Sequence, residues 1–410
     1  MALVDLADWM DEFDRPQKSI WYVKRLSAND TLASNAHQAG PYIPKSFLFR
    51  IFPQLDTAEI KNPDTTFDVY VDSHADHRRV RAVYYNGKRR QEGTRDEARL
   101  TNFGGRESAL LDPDSTGALT IFAFLMGDDG RAYECHVWVS RHATEEDLIE
   151  ERLGPVEPGQ LVIWIAGIGR QSPTLFTPAP RTNCRLTENE IPLGWLEKFP
   201  TGEEIIRKSV ELRSATALNP DARLLRRRTC EFEVFQSVEE AFFLPRIREG
   251  FPSIEAFIGQ AHAILQSRKS RSGNSLELHA REIFIEEGLR HLQEFQHRPR
   301  IENGKIPDFI FPSKTAYEDT NFPVNRLRML AAKTTCKDRW RQVLNEADRI
   351  PTKHLLTLQE GVSEGQYREM RDAGVQLVVP TALHDSYPES VRPNLVSFEE
   401  FIGDIRLISI

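Results

Sequence analysis

The sequence predicts a mixed protein in which a β-rich domain is followed by an α/β domain. Three observations support this prediction. Short runs of valine, isoleucine and aromatic residues dominate the chain up to about Gly169, a proline-rich stretch follows, and beyond it strand-like runs alternate with helical patterns. The 410 residues give room for two or three domains, each able to bury its own core.

The N-terminal runs are short and are separated by glycine, aspartate, asparagine and proline, which is typical of the strands of a barrel or sandwich. A helix is predicted at residues 145–152, where Thr144 is a candidate N-cap and acidic residues occupy the first turn. The predicted strands are residues 21–26, 66–71, 80–85, 119–125, 133–139 and 161–168.

A proline-rich segment divides the chain. Residues 173–193 show little periodicity and carry prolines at positions 173, 178, 180 and 192. Such composition is typical of a linker. We therefore predict an N-terminal domain of residues 1–172 and a C-terminal domain of residues 194–410.

The C-terminal half alternates between strand and helix patterns, which indicates an α/β sheet with parallel strand pairs. The predicted helices are residues 202–213, 219–243, 254–267, 275–289, 338–350 and 363–373. The predicted strands are residues 308–311, 327–332, 354–358 and 375–379.

The composition of the chain limits the classes of function that it can have. With 40% hydrophobic and 28% charged residues, the chain is predicted to be globular, and it shows neither a signal peptide nor a membrane-spanning run. Its four cysteines are far apart, with no C-x-x-C pair. This spacing predicts neither a disulfide nor a structural zinc site and favours a reducing cytoplasm. The net charge of −8 disfavours nucleic-acid binding, although binding depends on local patches.

The residues that suggest chemistry are Asp308, Lys333, Glu346 and Glu277. Asp308 opens one predicted strand and Lys333 ends another, so neighbouring strands can place them side by side. Glu346 and Glu277 lie on predicted helices. Carboxylates around a lysine suit magnesium-dependent phosphodiester hydrolysis, because Mg²⁺ prefers hard oxygen ligands and activates water. Taken alone, such a set is more often a group of solvated charges.

Longer motifs carry a resemblance. Residues 307–312 (Pro-Asp-Phe-Ile-Phe-Pro), 332–342 and 344–348 resemble the nuclease core of the EcoRII-like type II restriction endonucleases, of the PD-(D/E)xK superfamily. Ala331 stands where the superfamily usually has its second acid, and this branch takes that acid from Glu346. The resemblance implies that Asp308, Lys333 and Glu346 are catalytic, that Glu277 is an additional acid, and that the metal ligands are Asp308, Glu346 and Glu277.

Two further candidates fall in matching segments. Lys337 and Tyr317 are active-site residues by resemblance. The alternatives are that Lys337 is a charge near the start of the next helix and that Tyr317 is a loop aromatic.

Basic clusters mark possible DNA contacts. Arg268, Lys269 and Arg271 precede the predicted helix of Glu277, where positive charge disfavours the helix dipole. Arginine can pair with guanine in the major groove, and the matching segment of the family is implicated in recognising G:C pairs. Arg228 is the best phosphate-contact candidate in a second cluster that also holds Arg223, Arg226 and Arg227. A solvated charge run is the alternative.

The resemblance extends to the N-terminal half through residues 22–31, 41–44, 82–86, 94–95 and 116–120. It implies a DNA-binding pseudobarrel that binds a second copy of the recognition site and restrains cleavage by covering the catalytic cleft. The matching DNA-binding residues are His37, Tyr42, Arg95, Glu97 and Arg99. Gly93 and Ala98 replace basic residues of the family, and residues 88–90 (Lys-Arg-Arg) could compensate for them.

Together these observations predict a homodimeric, Mg²⁺-dependent endonuclease that cuts both strands of a short palindromic or near-palindromic DNA site. The resemblance implies that this site is CCWGG (W is A or T) and that cleavage precedes the first C. The resemblance also implies a flipped central base pair and a partner cytosine methyltransferase that protects host DNA. One alternative is a site-specific DNA-binding regulator with an inert nuclease core. Another is a repair nuclease that recognises DNA structure.

Overall fold

The computed structural model describes residues 3–34, 40–171, 184–214 and 218–409. Two compact units account for its contacts. The first comprises Met1–Ala179, Gln359–Arg368 and Asp385–Pro393, and the second comprises Pro180–Leu358, Glu369–His384 and Asn394–Ile410. No helix in these described ranges is both long and apolar enough to cross a lipid bilayer.

The first unit is built around one sheet, with eight strands among the described residues in the order β4-β3-β2-β6-β5-β1-β7-β8. All neighbours are antiparallel except β2 and β6, which are parallel. The strands are β1 (Ser19–Arg25), β2 (Asp64–Val71), β3 (Asp76–Tyr85), β4 (Glu97–Thr101), β5 (Leu119–Met126), β6 (Ala132–Val139), β7 (Leu161–Ile165) and β8 (Gly169–Gln171). Its helices are α1 (Leu3–Phe13), α2 (Lys45–Ile51) and α3 (Ala143–Leu153).

Strand β1 is buried on both faces, which explains the apolar run of residues 20–23 at its centre. Ile20 and Tyr22 face a cluster that includes residues of α2, whereas Trp21 and Val23 face a second cluster with residues of α1 and α3. The mixed, β-rich character predicted for this half of the chain is confirmed. The predicted cap of α3 is wrong: the helix begins after His142, because the Glu145 carboxylate accepts the backbone N–H groups of Arg141 and His142.

The second unit contains a sheet with five strands in the described chain, in the order β13-β12-β11-β10-β9. The predicted parallel pairs are present, since β11 and β12, and β12 and β13, run parallel. The strands are β9 (Gln296–His297), β10 (Phe309–Phe311), β11 (Arg328–Ala332), β12 (Lys353–Leu356) and β13 (Val375–Val378). The helices are α4 (Leu193–Glu197), α5 (Gly202–Leu212), α6 (Pro220–Glu249), α7 (Ile254–Glu286), α8 (Lys314–Glu318), α9 (Trp340–Val343) and α11 (Phe398–Ser409), and the residues of α10 (Glu364–Asp372) are divided between the two units.

Phe284 of α7 lies at the centre of the core that covers this sheet. Its ring is 5.2–5.5 Å from the rings of Phe295, Phe309, Phe311 and Phe398. Residues of α11 complete the same cluster. This packing holds α7 against β10. It therefore fixes the positions of the residues that these two elements carry.

Helix α7 is continuous over 33 residues, whereas the sequence predicted two helices with the basic cluster between them. Gly273 is the residue near that cluster with the poorest helix propensity. One glycine costs about 1 kcal/mol, and α7 packs against α6 on either side of it. The basic residues therefore lie within a helix and not at its start.

Cys184 and Cys230 form a disulfide, which contradicts the prediction that the cysteines are unpaired. The two residues are separated by 46 positions, so local spacing gave no signal. Both are buried in a cluster with Leu186, Ile191 and Val234, in which residues 184–191 pack on α6. Cys135 and Cys336 are buried and form no disulfide within the described residues.

Candidate active site

Asp308 and Lys333 meet at the end of β11. Strand β10 pairs with β11 so that Phe309 lies opposite Leu330, and this register carries Asp308 to the level of Ala331, next to Ala332. The carboxylate Oδ2 of Asp308 accepts the N–H of Ala332 at 2.8 Å and lies 3.2 Å from the ammonium of Lys333. Because Lys333 directly follows β11 and its N–H donates to Leu356 of β12, it stands at the carboxyl edge of the parallel strands.

Glu346 approaches the same edge from a bend. The helix predicted over residues 338–350 ends at Val343, and the Glu346 N–H donates to the Val343 carbonyl. Burial raises the pKa of Glu346 to about 7; the nearby Lys333 lowers this pKa and Asp308 raises it. Within the described residues, Oε2 of Glu346 is buried without a hydrogen-bond partner. Such an oxygen is costly unless a ligand satisfies it.

Glu277 lies on the buried face of α7 and is only 3% exposed. Its Oε1 is 2.5 Å from both His297 Nε2 and Arg298 Nε, and its Oε2 accepts from Arg298 Nη2 at 2.7 Å. Burial alone would raise the pKa of Glu277, but the hydrogen bonds from His297 and Arg298 outweigh burial and lower it. Sequence analysis missed His297 and Arg298, although the basic run that they begin was a usable signal.

Buried polar groups fix the loop that carries Glu346. The Tyr317 hydroxyl donates to Glu302 at 2.6 Å and accepts the N–H of Arg349 at 3.2 Å. The ammonium of Lys353 donates to the carbonyls of Ala347 and Ile350, at 2.6 and 2.5 Å. The structure therefore places the Tyr317 side chain in the support of this loop.

The remaining catalytic candidate, Lys337, is half-buried in the turn before α9, four positions after Lys333. Its catalytic role stays a prediction.

Two carboxylates of the site, Asp308 and Glu346, bear on whether it can hold a metal ion. In the described part of the chain, no three histidine, cysteine, aspartate or glutamate side chains lie close enough to hold a metal by themselves. Asp308 and Glu346 still suit Mg²⁺, which is often held by one or two carboxylates together with substrate phosphates and water. The buried, unsatisfied oxygen of Glu346 is the observation that favours a cation here.

The arginines predicted to contact DNA are largely engaged by acids of α6. Arg271 is buried, with Nη1 3.4 Å from Glu231, and Arg268 forms a two-point ion pair with Glu239 at 2.7 and 2.8 Å. Arg228 is buried and contributes charge to the same Glu231. Lys269 is exposed on α7. Of these four residues, only Lys269 has the solvent-exposed position that is expected for a surface charge cluster.

Glu231 is the centre of this buried network. It is 1% exposed, and it accepts hydrogen bonds from Ser275 and His279 in addition to the charge of Arg271. Burial raises its pKa, but Arg271, His279 and Arg228 together lower the pKa to about 2. Ser275, His279 and Arg271 follow one face of α7 at helical spacing, so the network joins α6 to α7. Sequence analysis missed it.

The candidate DNA-binding residues of the first unit lie on and beside β4. Glu97 accepts from Arg95 at 2.6 Å and from Arg99 at 2.7 Å, and Tyr42 is exposed and forms a β-bridge with Arg99. Ala98 points into the core, which follows from the alternation along the strand. His37 lies outside the described residues.

Comparisons with known proteins cover both halves of the chain. The family described as "Restriction endonuclease EcoRII, N-terminal" matches residues 16–167, and the family described as "EcoRII C terminal" matches residues 235–402. The chain is 45% identical over 389 residues to the type II restriction enzyme EcoRII of Escherichia coli, across 94% of this chain and 93% of that protein.

Two solved structures of DNA complexes also match. Metal-depleted Ecl18kI in complex with uncleaved DNA matches with a TM-score of 0.42 and 20% identity, over 52% of this chain and 80% of that chain. The UbaLAI restriction endonuclease B3 domain with cognate DNA matches with a TM-score of 0.26 and 18% identity, over 39% of this chain and 97% of that chain. On the 45% identity and the two family matches, the chain belongs to the EcoRII family of type II restriction endonucleases.

Proposed function

We propose that this enzyme is a Mg²⁺-dependent endonuclease that hydrolyses both strands of double-stranded DNA at CCWGG, before the first C. The observation that carries the proposal is the meeting of Asp308, Lys333 and Glu346 at the carboxyl edge of β11. Carboxylates and a lysine at one point of a sheet edge are the groups that phosphodiester hydrolysis needs.

Each residue has a distinct role in this proposal. Asp308 and Glu346 hold the cation, and Glu277 joins them as a ligand when it leaves Arg298. When bound, Mg²⁺ supplies an activated water and neutralises charge at the scissile phosphate. Lys333 stabilises the negative charge that develops on the phosphate, while Asp308 orients its ammonium. Lys337 is a further phosphate-binding candidate, and Tyr317 supports the loop of Glu346.

Recognition is assigned to α7 and the adjoining face of α6. Lys269 contacts base edges, and Arg268 and Arg271 either exchange their glutamate partners for guanine or hold α7 in position. Arg228 contributes a nearby positive charge. A near-palindromic site requires two-fold symmetry, so the active form is a homodimer, and the central base pair is flipped out on binding.

The N-terminal half is proposed to be an effector domain. It takes the pseudobarrel form, binds a second copy of the site through His37, Tyr42, Arg95, Glu97 and Arg99, and restrains the PD-(D/E)xK catalytic domain until that copy is bound. The Arg95–Glu97–Arg99 ladder supports a phosphate-facing role, since both guanidinium groups are held on one surface of β4. A cytoplasmic cytosine methyltransferase protects the host's own sites.

The test is digestion of a plasmid with several CCWGG sites in the presence of Mg²⁺, with fragment ends mapped by sequencing. Lys333→Ala is expected to abolish cutting, and Lys314→Ala is the matched control because Lys314 is a partly exposed lysine of the same unit. Ends that map elsewhere would reject the site. In a third outcome, neither the intact chain nor residues 194–410 cut DNA, but the intact chain still lowers the electrophoretic mobility of DNA. The chain would then be better described as a DNA-binding regulator with an inert nuclease core.

A further inference from the structure

Arg298 lies beside Asp308 at the edge of the second sheet. Strands β9 and β10 pair so that His297 is opposite Phe309, and the N–H of Arg298 donates to the Asp308 carbonyl at 2.9 Å. Lys333 approaches Asp308 from the end of β11, on the other side of β10. Asp308 therefore lies between two cationic residues, of which only Lys333 has a proposed role.

The guanidinium group of Arg298 binds Glu277 through two donors. Nε of Arg298 is 2.5 Å from Oε1 of Glu277, and Nη2 is 2.7 Å from Oε2. The same Nη2 donates to Asn274 at 2.9 Å, and His297 donates to Oε1 of Glu277 at 2.5 Å. Both oxygens of Glu277 are therefore engaged. A carboxylate whose charge is compensated in this way attracts a cation only weakly.

Glu277 is nevertheless close to the acids of the candidate cation site. Burial raises the pKa of Glu346, and the charges of Asp308 and Glu277 raise this pKa further, so Glu277 lies within electrostatic reach of Glu346. In the described residues, no three acidic, histidine or cysteine side chains are close enough to hold a metal together. Release from Arg298 would allow the carboxylate of Glu277 to turn toward Asp308 and Glu346.

Arg298 is suited to bind a phosphate in place of Glu277. Its side chain is 49% exposed, whereas that of Glu277 is 4% exposed, so an anion from solvent can reach the guanidinium group. The planar fork of donors that fits two carboxylate oxygens also fits two phosphate oxygens. The backbone of Arg298 has a φ of 48°, a left-handed conformation that is unfavourable for arginine and is often found at functional sites.

We propose that Arg298 exchanges Glu277 for the scissile phosphate when DNA binds, and that this exchange releases Glu277 to the cation. Without DNA, Arg298 compensates the charge of Glu277 and keeps the affinity for a cation low. With DNA, Arg298 neutralises phosphate charge beside Lys333, and Glu277 joins Asp308. Phosphate binding and cation binding therefore strengthen each other. This inference rests on the proposed function, because the phosphate contact has a role only in a site that cuts DNA.

Mn²⁺ binding to the full chain without DNA, measured by electron paramagnetic resonance, tests the release of Glu277. Arg298→Ala frees this carboxylate, so Mn²⁺ should bind about 10-fold more tightly than to the wild type. Adding Glu277→Gln to Arg298→Ala should remove the gain, whereas Glu277→Gln alone should change binding by less than about two-fold. Arg290→Ala is the matched control and should bind like the wild type, because Arg290 is an exposed arginine of the same unit that pairs with Glu294. Weaker or unchanged binding by Arg298→Ala overturns the proposal.

Single-turnover cleavage of a duplex with two CCWGG sites tests the phosphate contact. At saturating Mg²⁺, Arg298→Ala should cut about 100-fold more slowly than the wild type, because a donor to the phosphate is lost. Tighter Mn²⁺ binding together with slower cutting distinguishes the exchange from a folding defect, which would weaken both. An Arg298→Ala chain that cuts within a few-fold of the wild-type rate contradicts the contact.

Arg298→Lys guards against a folding defect in Arg298→Ala. The lysine keeps the positive charge but cannot bind two oxygens of Glu277 or of a phosphate at once. It should therefore bind Mn²⁺ about two- to three-fold more tightly than the wild type and cut about 10-fold more slowly. Wild-type values of both quantities in Arg298→Lys overturn the proposal even where Arg298→Ala does not fold.

The two measurements separate the exchange from the proposed function. If the wild type cuts at CCWGG and either expected change is absent in a folded Arg298→Ala chain, the exchange fails and the proposed function stands. If the wild type cuts no DNA, the proposed function fails, and the exchange fails with it whatever the result with Mn²⁺.

Discussion

Two carboxylates of the C-terminal unit, Glu231 and Glu346, meet opposite surroundings. Glu231 accepts hydrogen bonds from Ser275 and His279, and Arg271, His279 and Arg228 outweigh the effect of burial and hold its pKa at about 2. Burial raises the pKa of Glu346 to about 7, Lys333 only partly opposes it, and one oxygen of Glu346 has no hydrogen-bond partner in the described chain. The neighbours of Glu231 therefore compensate the buried charge of its carboxylate, whereas the neighbours of Glu346 do not.

This difference separates an acid that holds helices together from one that is poised for a ligand. Removing one partner from a buried ion network leaves an uncompensated charge and costs stability. A buried acid with a raised pKa already destabilises the folded protein when it is ionised. Acids of this kind are concentrated at functional sites. The two glutamates should therefore respond in opposite ways to the same substitution.

The largest expected effect is on cutting by Glu346→Gln. The amide cannot replace a carboxylate as a ligand of Mg²⁺, so the rate of double-strand cleavage should fall about 100- to 1,000-fold. Single-turnover digestion of an oligonucleotide duplex measures it. A variant that cuts within a few-fold of the wild-type rate would remove Glu346 from the site.

The next effect is on the stability of Glu231→Gln. The loss of the carboxylate leaves Arg271 and Arg228 buried without their anion, and the free energy of unfolding should fall by about 3 kcal/mol. Urea denaturation measures this change. Glu239→Gln is the control, because its partner Arg268 is partly exposed, and it should cost less than about 1 kcal/mol. Equal losses in the two variants would contradict the central role of Glu231.

A third effect is the pH dependence of Glu346→Gln stability without metal. The folded-state pKa of Glu346 is about 7, above the ordinary value of 4.5, so the folded state binds the extra proton between these values. Wild-type stability should therefore fall, relative to the variant, as the pH rises from 5 to 8, by roughly 1–2 kcal/mol. Parallel stability curves for the two chains over this range would show that the carboxyl group is not perturbed.

The smallest effect is that of Tyr317→Phe. Its hydroxyl joins Glu302 to the backbone of Arg349, so the variant should lose about 1 kcal/mol of stability. Because Tyr317 supports the loop of Glu346, kcat should fall about 10-fold with little change in KM, as expected when a catalytic group is misplaced. If KM rises and kcat is unchanged, Tyr317 contacts DNA and does not position Glu346.

The sequence predicted what local patterns determine. The predicted strand at residues 119–125 appears as β5, and the expected meeting of Asp308 with Lys333 is present because both residues flank short apolar runs of adjacent strands. Strand β4 was missed since its outward positions, Glu97 and Arg99, are charged and its apolar residues are few. Pattern alone therefore finds central strands more readily than edge strands.

Long-range partners could not be predicted. The sequence predicts Arg271 as a base contact but gives no sign of its ion-pair partner Glu231, which lies 40 positions earlier on another helix. The Cys184–Cys230 disulfide spans 46 positions, again between separate elements. Glu346 was placed on a helix that ends three residues before it, because the left-handed backbone at Ala347 and the contacts of Lys353 turn the chain there. In each case tertiary packing decided the outcome.

Metal binding tests most directly whether Asp308 and Glu346 form the cation site. Free Mn²⁺ can be counted by electron paramagnetic resonance in titrations of the full chain, with wild type, Asp308→Asn, Glu346→Gln and Glu231→Gln compared. We predict that Asp308→Asn and Glu346→Gln weaken binding at least about 10-fold, and that Glu231→Gln leaves it unchanged. Undiminished binding in both Asp308→Asn and Glu346→Gln would contradict the assignment of the catalytic centre.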